Sequence, residues 1–181
     1  FVRLQLDKEN SLWLTISFLC GFTALAYEVV WTRLLVFGLG STVYSFSLML
    51  ANFLFGVTVG GLLIVPFFKK KMDFRLLLTF FQFGIGLYLI FSLYQSNWIL
   101  TSFIRPYAKL DGAITDFWIN MRHASALMFV PTVLFGMSFP VLTYLVTKGS
   151  KDIGGSLGAV YGVNTLGGIM GSIIAGYLLL P

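Results

Sequence analysis

The chain has 181 residues, of which 57% are hydrophobic, 17% aromatic and 10% charged, with a net charge of +5. A soluble domain carries about a quarter charged residues and a disordered chain needs low hydropathy, so a mean hydropathy of +0.88 excludes both classes. The lone cysteine, Cys20, excludes an internal disulfide framework and any multi-cysteine metal site.

A helix needs about 20 mostly apolar residues to cross the hydrocarbon core of a bilayer. The first such run covers 11–37 and holds only Glu28 and Arg33 as charges. It is too long, and lacks the cleavage pattern, for a signal peptide. Gly38-Leu39-Gly40-Ser41 breaks it, with Ser41 or Thr42 placed to cap the next helix. A second, uncharged run covers 41–68 and stops at Lys69, Lys70 and Lys71, read as a solvated cluster. The third covers 76–96, and the fourth 123–147, where Pro131 and Pro140 predict kinks. The fifth, 156–180, is again free of charge. Period-two strand patterning is absent. The expected fold is all-α, a polytopic bundle of five transmembrane helices forming one domain over 1–181.

Residues 97–122 differ from the spans. Ile99, Phe103, Tyr107, Leu110, Ile114, Phe117 and Met121 recur at steps of three or four, with Arg105, Lys109, Asp111, Asp116 and Asn120 between them. Trp98 and Trp118 are residue types favoured at headgroup depth. Two readings stand: one or two short helices on the outer membrane surface, broken near Pro106 and Gly112, or a loop folded back on the bundle.

Five crossings place Arg3, Lys8, Lys69, Lys70, Lys71, Arg75, Lys148 and Lys151 on one side, and Arg33, Arg105, Lys109 and Arg122 on the other. The positive-inside rule then predicts a cytoplasmic N-terminus in the inner membrane. The same placement, between apolar runs, argues against nucleic acid as the partner of the basic residues. Phe1 in place of Met, and the apolar ending Leu178-Leu179-Leu180-Pro181, predict that sequence continues at both ends.

Glycines four apart let membrane helices approach closely. Gly56/Gly60, Gly158/Gly162 and Gly167/Gly171 have that spacing and are expected to be packing sites. Gly38-Leu39-Gly40 lacks the third glycine of a dinucleotide loop and follows a span instead of a strand. Glu28 is the costliest residue, because an acid near a membrane helix centre costs about 2.5–3.5 kcal/mol on insertion scales. Arg33, five residues on, lies about 140° around the helix and makes a poor partner, but it reaches the outer interface. Depth matching pairs Glu28 with Asn52 instead, and sets Gln82 and Asn164 toward the other side. One reading makes Glu28, Asn52, Gln82 and Asn164 a polar path for a cation or proton; the other makes them interhelical hydrogen-bond glue. His123 has no Cys, Asp or second His beside it for a metal, and Cys20 has no activating base. No catalytic residue, metal or cofactor is expected in this chain.

Four stretches resemble a known bacterial family, the membrane-embedded spermidine-synthase-like proteins. They are Gly21-Phe-Thr-Ala-Leu-Ala-Tyr-Glu-Val-Val-Trp-Thr-Arg-Leu-Leu, Gly40-Ser-Thr-Val-Tyr-Ser-Phe-Ser-Leu-Met-Leu, Pro131-Thr-Val-Leu-Phe-Gly-Met-Ser-Phe-Pro, and 161–181, which contains Asn164 and ends Leu-Leu-Leu-Pro. The resemblance implies a transporter-like membrane region that precedes a soluble, Rossmann-like aminopropyltransferase domain acting on decarboxylated S-adenosylmethionine and a diamine. The glycine-rich loop and acidic residues of that domain have no counterpart here, so what carries over is the membrane motif alone: Glu28, Trp31, Arg33 and Asn164. The resemblance further implies another apolar segment after Pro181, which would return the chain to the cytoplasm. The expected function is therefore a membrane anchor, scaffold or regulator of a synthase-like domain. The alternatives are an accessory subunit among other membrane subunits and a transporter-like module.

Overall fold

The structure, a computed structural model, describes residues 8–39, 43–104, 113–148 and 150–179. Among them are five long helices and no strand: α1 (Lys8–Leu39), α2 (Val43–Ile64), α3 (Phe74–Ile104), α4 (Ala113–Thr147) and α5 (Ile153–Ile174). The helix boundaries follow local chemistry. Proline has no N–H to donate, and α2 gives way to a 3₁₀ turn over Val65–Lys69 where Pro66 enters. The Asp73 carboxylate accepts the Arg75 N–H at 3.0 Å, and that of Asp152 accepts the Gly155 N–H at 2.9 Å. These bonds cap the exposed amides at the starts of α3 and α5. The last turn of α5 widens into a π-helical turn, Ala175–Leu179.

All five helices are long and apolar enough to cross a membrane, over Glu9–Val36, Phe46–Lys69, Phe74–Ser92, Ala124–Thr147 and Ile153–Leu178. The protein is thus an all-α bundle with the character of an integral membrane protein. Its outer faces carry large apolar residues, among them Phe80, Phe83 and Ile90 on α3 and Leu166 and Ile173 on α5. An apolar surround suits that surface, and inside it the backbone is satisfied helix by helix.

Half of the α4 span is buried, a larger share than in any other span. Helices α1, α2, α3 and α5 all contact it. Both of its prolines lie within an unbroken helix. Around them Thr132, Ser138 and Thr143 each return a hydroxyl proton to a carbonyl three or four residues back. Local hydroxyls and tight neighbours of this kind let a membrane helix tolerate proline. The buried side chains form two clusters, one toward each end of the bundle. Trp31, Leu35, Met49, Ile85 and Met128 belong to the first, and Trp13, Ile64, Leu78, Leu142 and Val160 to the second, with Leu134 packed against both.

Residues 97–104 and 113–122 are continuations of α3 and α4, not separate short helices. Extending a helix adds one hydrogen bond for each residue fixed, whereas starting a new one is costly. Nothing in either stretch stops propagation before Pro106 or Gly112. The centre of that connection, 105–112, lies outside the described residues, as does the side chain of Trp98. Trp118 is 65% exposed on α4.

Candidate functional site

The small residues set how closely the helices approach. A Cβ added to Gly171 would lie 2.1 Å from the Phe22 carbonyl oxygen, and one on Gly167 would lie 2.0 Å from that of Phe18. On the same interface, Gly21 meets the Asn164 carbonyl just as tightly, and the Ser17 hydroxyl donates to the Val160 carbonyl at 3.1 Å. From Ser17/Val160 to Gly21/Asn164, and from Phe18/Gly167 to Phe22/Gly171, both helices advance together by four residues, so α1 and α5 are parallel. Between α2 and α4, Gly56 lies against Thr132 and Gly60 against Val133, while Gly136 receives Val57 from the other side. Gly158 and Gly162 behave differently. No atom lies within 4 Å of a Cβ built on either, so their expected packing role has no counterpart within the described residues. They share the four-residue spacing but sit on the outward face of α5.

The four intramembrane polar candidates fall into separate places. Asn52 is 1% exposed and fixes α2 to α4. Its side-chain oxygen accepts from the Ser125 hydroxyl at 2.7 Å, and its amide donates to the Leu48 carbonyl and to Met121 Sδ, both at 3.3 Å. It does not bond Glu28. The expected pairing fails because depth along a helix does not settle azimuth, and Asn52 turns to α4 while Glu28 turns away from it.

Gln82 joins three helices. Its amide donates to Ser138 Oγ and to Cys20 Sγ, each at 3.2 Å, at the level of Leu134, where the two apolar clusters meet. Asn164 faces a cavity of about 340 Å³ between α1, α2, α4 and α5, whose wall also includes Cys20, Ser138 and Thr165. Gln82 and Asn164 therefore address one mid-bundle region from opposite sides, with Cys20 and Ser138 between them.

Glu28 lines a different groove, of about 380 Å³, between α1, α2 and α5. Thr32, Arg33 and Ser172 share its wall with Met49 and Phe46. The hydroxyls of Thr32 and Ser172 spend their protons on the carbonyls of Glu28 and Ile169. Among the described residues the Glu28 carboxyl has no hydrogen-bond or ion-pair partner. Leu25 lines both this groove and the Asn164 cavity and stands between them.

No cluster of three or more metal-ligating side chains occurs among the described residues. The close approaches of Gly21 and Gly136 were not anticipated. Neither belongs to a glycine pair spaced by four, and the available signal was small size opposite a glycine-rich helix. No protein-family profile, curated protein or solved structure matches the chain.

Proposed function

We propose that this chain is the membrane region of a spermidine-synthase-like protein, which anchors, scaffolds or regulates a soluble synthase-like domain and holds no catalytic site itself. One observation carries the reading: the four stretches with the family resemblance, far apart in sequence, meet in space. Gly21 of the first packs on Asn164 of the last. Trp31 and Leu35 of the first share a cluster with Met49 of the second. The Tyr27 ring lies 6.3 Å from that of Phe135 in the third, and Phe139 of the third meets Tyr161 of the last edge-on at 4.7 Å. A motif spent on helix–helix contacts suits a supporting role better than a chemical one. In this reading the N-terminus is cytoplasmic and the protein sits in the bacterial inner membrane, where a polyamine enzyme meets its substrates.

The test is to purify the native polypeptide from its own membranes, measure its intact mass, and assay aminopropyl transfer from decarboxylated S-adenosylmethionine to putrescine. The expected result is a larger, active polypeptide, with residues 1–181 inactive when expressed alone. A native polypeptide with no soluble domain and no transfer activity would overturn the proposal and favour an accessory subunit, recognisable by stoichiometric membrane partners.

A second reading, a transporter-like module, is favoured by the Glu28 groove and the Asn164 cavity, which share Leu25 in their walls. Proton-coupled uptake into proteoliposomes that Glu28→Gln abolishes would support it.

A further inference from the structure

We propose that the end of the bundle carrying Lys69, Lys70 and Lys71 holds the headgroup of an anionic phospholipid. The fold does something there that the sequence does not show. It brings Lys148, from the end of α4, to the same hollow as the three consecutive lysines, enclosing about 630 Å³. The other ions of the wall are Asp73 and Arg75, and with Asp73 as its one carboxylate the hollow stays cationic. Asp73 accepts the Arg75 N–H and caps α3. The Arg75 guanidinium donates to both carboxylate oxygens of Glu9, at 3.1 and 3.3 Å. Among the described residues the four lysines have no carboxylate partner. Lys70 and Lys148 lie over aromatic rings, 5.6 Å from the Phe67 centroid and 5.8 Å from that of Tyr144. Ring faces leave the ammonium N–H donors free for an acceptor.

The chemistry that answers four unpaired ammonium groups is a phosphodiester, and the position selects its source. One membrane span ends at Lys69, the next starts at Phe74, and the α4 span ends at Thr147. The hollow therefore sits at headgroup depth. Its floor is aromatic, with Phe74 stacked on Phe68 at 5.1 Å and tilted against Tyr144 at 4.7 Å. Val65 and Leu76, three residues before Phe68 and one after Arg75 of the wall, are more than half exposed. A phosphate bound among the lysines thus has an apolar path beside it for acyl chains, which a soluble anion would leave unused. Basic pockets between helix ends are an established way of holding anionic headgroups. Two phosphates suit four lysines better than one, so cardiolipin binds more tightly than phosphatidylglycerol.

The experiment titrates the delipidated full chain in dodecyl maltoside with cardiolipin, phosphatidylglycerol, phosphatidylcholine or inorganic phosphate, and follows the thermal unfolding midpoint. Cardiolipin and phosphatidylglycerol raise the midpoint saturably, while phosphatidylcholine and inorganic phosphate do not. Lys148→Gln weakens binding about fivefold, and Lys70→Gln with it about twenty-five-fold, the scale of one basic residue each at a membrane surface. Lys148→Arg retains binding, and Arg122→Gln, an equal charge change near the opposite end of α4, leaves it unchanged. The proposal is overturned by an equal response to phosphatidylcholine or by loss of binding in Arg122→Gln. Competition by inorganic phosphate alone overturns it as well, because the site would then belong to a soluble anion. None of these outcomes depends on whether a synthase-like domain follows the chain.

Discussion

Replacing Gly171 by alanine places a methyl carbon 2.1 Å from the Phe22 carbonyl oxygen and 2.8 Å from its carbon. A carbon–oxygen contact settles at about 3.3 Å or more, so α1 and α5 must separate locally by about 1 Å. A radial gap of that size forfeits up to about half of each dispersion well along the seam, including the contacts at Gly167 and Gly21. Overpacking of this kind costs about 1–3 kcal/mol, against a helix-propensity gain for alanine of at most about 1 kcal/mol. The net effect of Gly171→Ala is destabilisation. Gly158→Ala meets nothing within 4 Å, and only the propensity term acts, so that variant is neutral or slightly stabilised. Unfolding by sodium dodecyl sulfate in mixed micelles, followed by tryptophan fluorescence, measures both variants side by side. Equal destabilisation at positions 158 and 171 would refute the assignment of one glycine to the inner seam and the other to the outer face.

A double-mutant cycle on Asn52→Ala and Ser125→Ala, read by the same unfolding assay, gives a coupling near 0.6 kcal/mol, the average for hydrogen bonds between membrane helices. Zero coupling would contradict the 2.7 Å bond that joins α2 to α4. Glu28→Leu, measured in a translocon-insertion assay of α1, favours insertion by up to about 3 kcal/mol. In the assembled bundle it costs no packed polar contact among the described residues, so a large loss of folded stability would show that the carboxyl is engaged after all.

How far the sequence disclosed this structure varies from feature to feature. The spans were legible because a bilayer imposes a length and an apolar content that few other constraints imitate. Lys69, Lys70 and Lys71 mark the end of the second span, but α2 itself stops at Ile64, where Pro66 turns it into a 3₁₀ turn, a break that hydropathy alone runs through. The facing of the helices was not legible. Gly158/Gly162 and Gly167/Gly171 have the same spacing on one helix, yet among the described residues only the second pair meets a partner, because spacing within a helix carries no record of where its neighbours lie. The same gap explains Glu28 and Asn52, whose depths agree while their directions differ. Gln82 was visible as a polar residue, but its partners come from two other helices, in the form of Cys20 and Ser138. Lys148 joins Lys69, Lys70 and Lys71 only after α4 has folded back beside the α2–α3 turn.

Topology is the premise on which both the anchoring role and the lysine hollow depend: five helices that each cross the membrane once. It is measured most directly by placing single cysteines at positions 70, 109 and 150 in a background where Cys20 is replaced by alanine. Each is then labelled with a membrane-impermeant maleimide in spheroplasts and in inside-out vesicles. Positions 70 and 150 should react only in the inside-out vesicles and position 109 only in the spheroplasts. Labelling of 70 and 109 from the same face would contradict the account, since α3 would then fail to cross.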